Sequence, residues 1–142
     1  MRRLPLAAAL ALLALAACRR DDGPDAVYRA FAAAARAGDG ATVWSLMSAG
    51  SQAAFEARAK ALAAQVPGAP VTGRDLVLGD LSAGAPRIEE VVVVRTTADE
   101  AVVGVKLKGA PGGEVRLVRE GGAWRVVVPG CRAAPRAAAA TP

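Results

Sequence analysis

Cys18 and Cys131 are the only thiols of this 142-residue chain, Tyr28 is its only phenol, and it contains no His. The missing imidazole removes the commonest general base and the commonest metal ligand together. Ser45, Ser48 and Ser51 thus have no partner for a Ser–His nucleophile. A zinc site would have to be built from carboxylates and too few thiols, so no metal and no cofactor is expected. What remains for acid–base work is Tyr28 with Glu89 or Glu90, a pair that a small isomerase or cyclase would bring together in an apolar pocket. Against it, a Tyr beside Val27 and Phe31 reads as a core-edge residue with its hydroxyl at the rim. Alternation sends Glu89 and Glu90 to opposite faces of a strand end. Helix capping accounts for Asp39, and a turn accounts for Asp99 and Glu100. Gly112-Gly113 and Gly121-Gly122 lack the following helix that a phosphate loop needs. No catalytic residue is assigned. Pocket lining falls instead to Tyr28, Phe31, Trp44, Phe55 and Trp124, the two Trp being equally simple as core residues.

Cys18 carries a different chemistry. It follows Met1-Arg2-Arg3 and an apolar run from Leu4 to Ala17 that ends in Leu15-Ala16-Ala17, with small Ala residues next to the Cys. A positive start, a short apolar stretch and small residues at the end describe a secretory signal peptide. The run is shorter than the roughly 20 residues that span a hydrocarbon core. Leu15-Ala16-Ala17-Cys18 resembles the lipobox of bacterial lipoproteins, although the Ala-rich stretch also suits a general signal peptidase. The resemblance implies that residues 1–17 are cleaved, that the Cys18 thiol takes a diacylglyceryl thioether and that the new N-terminus is acylated. One acyl chain binds a membrane only marginally, whereas several anchor stably. Arg19 stands where an Asp would signal inner-membrane retention in enterobacteria, which favours the periplasmic side of an outer membrane. Residues 19–23 form a tether that, at about 3.3–3.6 Å per extended residue, reaches under roughly 20 Å. With Cys18 lipidated, Cys131 is the one thiol left; unmodified, the two would be able to bridge in an oxidising compartment.

Beyond the leader the chain is long enough for one domain. The isoelectric point of about 10.0 invites a nucleic-acid reading. Taking Arg2 and Arg3 from the 18 basic residues leaves 16 against 13 acidic, a net of only +3. These charges are interspersed, and no nucleic-acid partner is expected of an exported domain.

The elements that must position the candidates are marked by their punctuation. Pro24 opens a first helix that Gly38 closes, with Val27, Phe31 and Ala34/Ala35 on one face. Asp39 caps a short second helix carrying Val43, Trp44, Leu46 and Met47 and ending near Gly50. Ser51 caps a third, with Phe55, Ala59, Leu62 and Val66 at helical spacing, stopped by Pro67-Gly68-Ala69-Pro70. Leu76 to Leu78 reads as a short strand or turn-like segment. Alternation then predicts strands over 88–97, 101–108, 114–120 and 124–128. They are separated by a turn at Ala98-Asp99, a loop over 109–113 and a tight Gly121-Gly122 hairpin. Residues 132–142 are Ala/Pro/Arg low complexity and are expected to be disordered.

Helices with one greasy stripe and a meander with one greasy face predict an α+β domain over 24–130, helices packed on one side of an antiparallel sheet. Ala26-Val27-Tyr28-Arg29-Ala30-Phe31, Ala37-Gly38-Asp39 and Val43-Trp44-Ser45-Leu46-Met47-Ser48 resemble the opening of nuclear transport factor 2-like domains. Arg119-Glu120-Gly121-Gly122-Ala123-Trp124-Arg125-Val126 is similar to the final hairpin of small lipoproteins in that superfamily. This implies a cone-like, curved sheet with the helices on its concave face, a pocket between them, and relatives that include ketosteroid isomerase-like enzymes as well as non-catalytic members. Fold alone assigns no function. The expected role is a lipid-anchored, non-enzymatic cell-envelope protein binding a small apolar ligand or an envelope partner. Two alternatives stand beside it. One is the Tyr28 enzyme. The other is a dimer formed through the sheet, where Val118, Val127 and one Val of 91–94 would share a patch.

Overall fold

The computed structural model describes residues 22–68, 71–82 and 86–128. The leader, Cys18, Cys131 and the tail 132–142 lie outside the described residues.

Helix α1 (Pro24–Ala37) starts on Pro24, where a missing N–H is harmless, and ends on Gly38 at φ 72°. It buries Phe31, Ala34 and Ala35. The Asp39 carboxylate caps α2 (Gly40–Leu46), accepting from the Thr42 N–H at 3.0 Å and the Thr42 hydroxyl at 2.6 Å. Helix α3 (Ala49–Gln65) begins earlier than expected, because Ser48 and not Ser51 is its cap. Ser48 has the extended backbone a cap needs, and its Oγ accepts from the Ser51 N–H at 3.2 Å. Ser51 lies inside the first turn, and Leu62 and Val66 are exposed at the far end.

The segment around Leu76–Leu78 is neither strand nor turn. It belongs to helix α4 (Gly73–Ser82). Thr72 and Asp75 form a reciprocal cap: Asp75 accepts from the Thr72 N–H at 2.9 Å, and the Asp75 N–H donates to Thr72 Oγ1 at 3.2 Å. A Cβ on Gly73 would stand 2.8 Å from the Glu56 nitrogen and 2.9 Å from the Trp44 ring. The start of α4 is thus seated directly on α3 and Trp44.

Strands β1 (Ile88–Thr96), β2 (Glu100–Leu107), β3 (Ala110–Glu120) and β4 (Ala123–Val126) pair antiparallel in chain order. The expected 109–113 loop is mostly strand: Leu107 pairs with Ala110 across a tight turn. Gly112 makes this possible, since a Cβ there would lie 2.4 Å from the Val105 carbonyl oxygen. Gly121 and Gly122, both at positive φ (58° and 78°), turn the β3–β4 hairpin. Val91, Val103, Val105, Leu117, Trp124 and Val126 face the helices and join Phe31, Val43, Met47, Phe55 and Val77 in one core. Burying a side chain of this size fully contributes roughly 1.5–3 kcal/mol.

The α+β arrangement, with helices against an antiparallel sheet, is as expected. The cone is not. The sheet is an open four-stranded meander, neither curved nor closed, so the nuclear transport factor 2-like shape and its concave face are absent. Side-chain alternation and hairpin glycines specify which strands pair and which face is buried; they carry little information about curvature. The motifs that carried the resemblance therefore survive in a differently shaped sheet.

Candidate functional site

Three places gather candidate residues. The first is a cleft of about 270 Å³ between α1, α4 and the starts and ends of β1 and β2. Helical spacing puts Tyr28, Phe31, Ala35 and Arg36 of α1 on its wall; Asp80 and Leu81 come from α4, Ile88 and Leu107 from the sheet. Tyr28 stacks on Phe31 with ring centroids 6.2 Å apart. Burial pushes the Tyr28 phenol above its ordinary value, so it stays protonated and offers a hydrogen-bond donor, not a base. Asp80 accepts from the Arg58 guanidinium at 2.6 Å. Glu89 and Glu90 do not line the cleft. Both are exposed, Glu89 stands 3.9 Å from the Lys106 ammonium, and Glu90 is Lys106's register partner. Tyr28 and those carboxylates do not converge.

The second is a shallow groove at the β3–β4 hairpin, lined by Asp22, Val27, Leu46, Trp124 and neighbouring charges. Those charges are structurally engaged. Arg119 lies over the Trp124 ring at 5.3 Å, Glu120 accepts from the Ala49 N–H at 3.0 Å, and Arg125 donates to the Ser45 carbonyl at 2.6 Å. The five aromatic candidates are thus divided. Tyr28 and Phe31 share the cleft, and Trp124 borders the groove. Phe55 is buried at 3 % exposure, and Trp44 packs against the Gly73 turn.

The third is β1 itself. Val92, Val93 and Val94 are 48 %, 43 % and 56 % exposed, three consecutive residues among the few large apolar side chains left in solvent. Val92 and Val94 flank Gly104, where an added Cβ would meet their methyl groups at 3.4 and 3.2 Å. Two residues apart on a strand, both lie on that outer face, and the register with β2 shifts between Val93 and Arg95. Val118 and Val127, expected beside them, are half-buried. The Arg29 guanidinium reaches from α1 to the Val91 carbonyl at 2.9 Å, a carbonyl turned away from β2. The strand is acidic where it starts (Glu89, Glu90) and basic where it ends (Arg95). An unbroken valine run reads as a strand buried on both faces. The signal to the contrary was its place as first strand of a meander, which makes it an edge.

Among the described residues no group of three or more potential metal ligands comes together, and no helix is long and apolar enough to cross a membrane. Comparison with protein-family models, with curated proteins and with solved structures finds no match to this chain.

Proposed function

We propose that this is a lipid-anchored cell-envelope protein that acts by binding a partner, not by catalysis, with β1 as the binding strand. The anchor is supported by the leader and by Cys18 at its end. The binding role rests on one observation: three consecutive exposed valines on an open edge strand, the kind of apolar surface that marks an interaction site. It is further supported by the engagement of Asp80 near Tyr28 and of Arg119 and Arg125 beside Trp124. Replacing Val93 in the full-length protein with a photoreactive residue should trap a polypeptide in native membranes, whereas the same group at exposed Lys60 on α3 should not. Equal or absent trapping at the two sites would refute the binding strand. Cys18→Ala should abolish incorporation of labelled fatty acid, and persistent labelling would refute the anchor.

The apolar Tyr28 cleft favours a second reading, a small apolar ligand. Leu81→Trp would fill it and displace an environment-sensitive fluorophore. A fluorophore that binds the variant and the parent equally well would exclude that cleft.

A further inference from the structure

We propose that two copies of this chain pair antiparallel along β1, so that the acidic start of each strand (Glu89, Glu90) lies beside the Arg95 end of the other. The inference rests on the binding-strand reading above and names its partner.

The order of charge along β1 carries it. Glu89 and Glu90 precede Val91–Val94, and Arg95 follows. Laid parallel, two such strands set carboxylate against carboxylate and guanidinium against guanidinium; laid antiparallel, they set opposite charges together at both ends. A second copy supplies that complement by symmetry, as a two-fold interface requires. Within its own domain this acidic end is only loosely matched, Glu89 to Lys106 at 3.9 Å with both exposed. The exposed Val92, Val93 and Val94 would meet their counterparts at the centre of the pair. They point to both faces of the strand, so antiparallel pairing gives each a cross-strand valine neighbour on its own face. Arg29 occupies one lone pair of the Val91 carbonyl, leaving that oxygen a second acceptor site.

A strand edge buries less than the roughly 1,200 Å² of a standard stable interface. Two copies held by Cys18 on one bilayer meet at high effective concentration, which lets a small contact suffice. The pairing therefore belongs to the anchored protein.

The test uses full-length protein in its own membranes, in a Cys131→Ser background. Val92→Cys or Val93→Cys under mild oxidation should give a disulfide-linked species of twice the chain mass, because bridging needs Cα atoms within about 7 Å. Lys60→Cys should not link. In the linking background, Arg95→Glu alone should lower the yield about tenfold, as should the pair Glu89→Arg and Glu90→Arg. Co-expressing those two variants, or combining all three substitutions in one chain, should restore it. These side chains are exposed, and an unchanged circular dichroism spectrum confirms that each variant folds. Linking that ignores charge reversal, or that is equal at Lys60, overturns the proposal. A link to a chain of another mass overturns self-pairing and keeps β1 as a binding strand; no adduct at either β1 position, oxidised or photoreactive, overturns both.

Discussion

At the β4 edge of the sheet, Met47 pairs with Val126, the Ser48 N–H donates to the Val126 carbonyl at 2.9 Å, and the Ser51 hydroxyl accepts from the Val128 N–H at 3.1 Å. At the β1 edge, a single guanidinium covers the Val91 carbonyl while the next three side chains face water. The helical corner between α2 and α3 closes one margin with buried groups, Met47 at 1 % and Ser51 at 3 % exposure. The opposite margin leaves Val92, Val93 and Val94 in solvent. Edge strands invite pairing unless something covers them, so the two margins divide the sheet into a side that stabilises the domain and a side that is free to interact.

Substitutions should separate these roles, and the largest effect belongs to the closed margin. Met47→Ala should cost about 2–5 kcal/mol in urea unfolding, as core truncations do; a loss below about 1 kcal/mol would mean that this corner does not seal the sheet. Ser51→Ala removes the acceptor of the Val128 N–H and should cost about 1–3 kcal/mol. On the open margin, Arg29→Met should cost no more than about 1.5 kcal/mol while raising self-association, because the Val91 edge is then uncovered. Val93→Lys should change stability by less than about 0.5 kcal/mol and yet abolish trapping at β1; a strongly destabilised variant would make β1 part of the scaffold and erase the contrast.

Acid tests the helices apart from either margin. Hydrogen bonds from Thr42 hold the Asp39 carboxyl below its ordinary 3.8, and those from Thr72 do the same for Asp75. A depressed carboxyl stabilises the fold above its unfolded value and loses that contribution as pH falls through the folded one. The caps of α2 and α4 should therefore loosen only below about pH 3.8, seen as a loss of helical signal there. The Ser51 contact at β4, made by a hydroxyl and a backbone N–H, should not follow. Thr72→Val should remove the α4 part of that acid response.

Much of this architecture is legible wherever one residue type has one physical use. Pro24, Gly38, Asp39 and Gly121-Gly122 mark boundaries that the structure keeps. Misplacement arose where two residues offer the same chemistry: Ser48 and Ser51 both suit a cap, and only the packing at Val128 decides between them. Helix α4 was concealed by its short apolar triplet, although Thr72 and Asp75 stand at capping-box spacing. Sheet curvature and the separation of the five aromatics depend on how elements stack, which local pattern does not encode. The exposure of Val92–Val94 was hidden for a related reason: burial is a property of neighbours, and β1 has a strand on one side only.

The bridge between Met47 and Val126 also bears on the order of folding. It joins parts of the chain that are nearly eighty positions apart, as does the Ser51–Val128 contact at a separation of 77. Closing a loop of that size has to be met before the contact rewards it. Helices made early in synthesis thus acquire their final neighbour only when residue 128 exists. Until then the corner is incomplete, and the helices behind it lack the strand that closes this margin of the sheet.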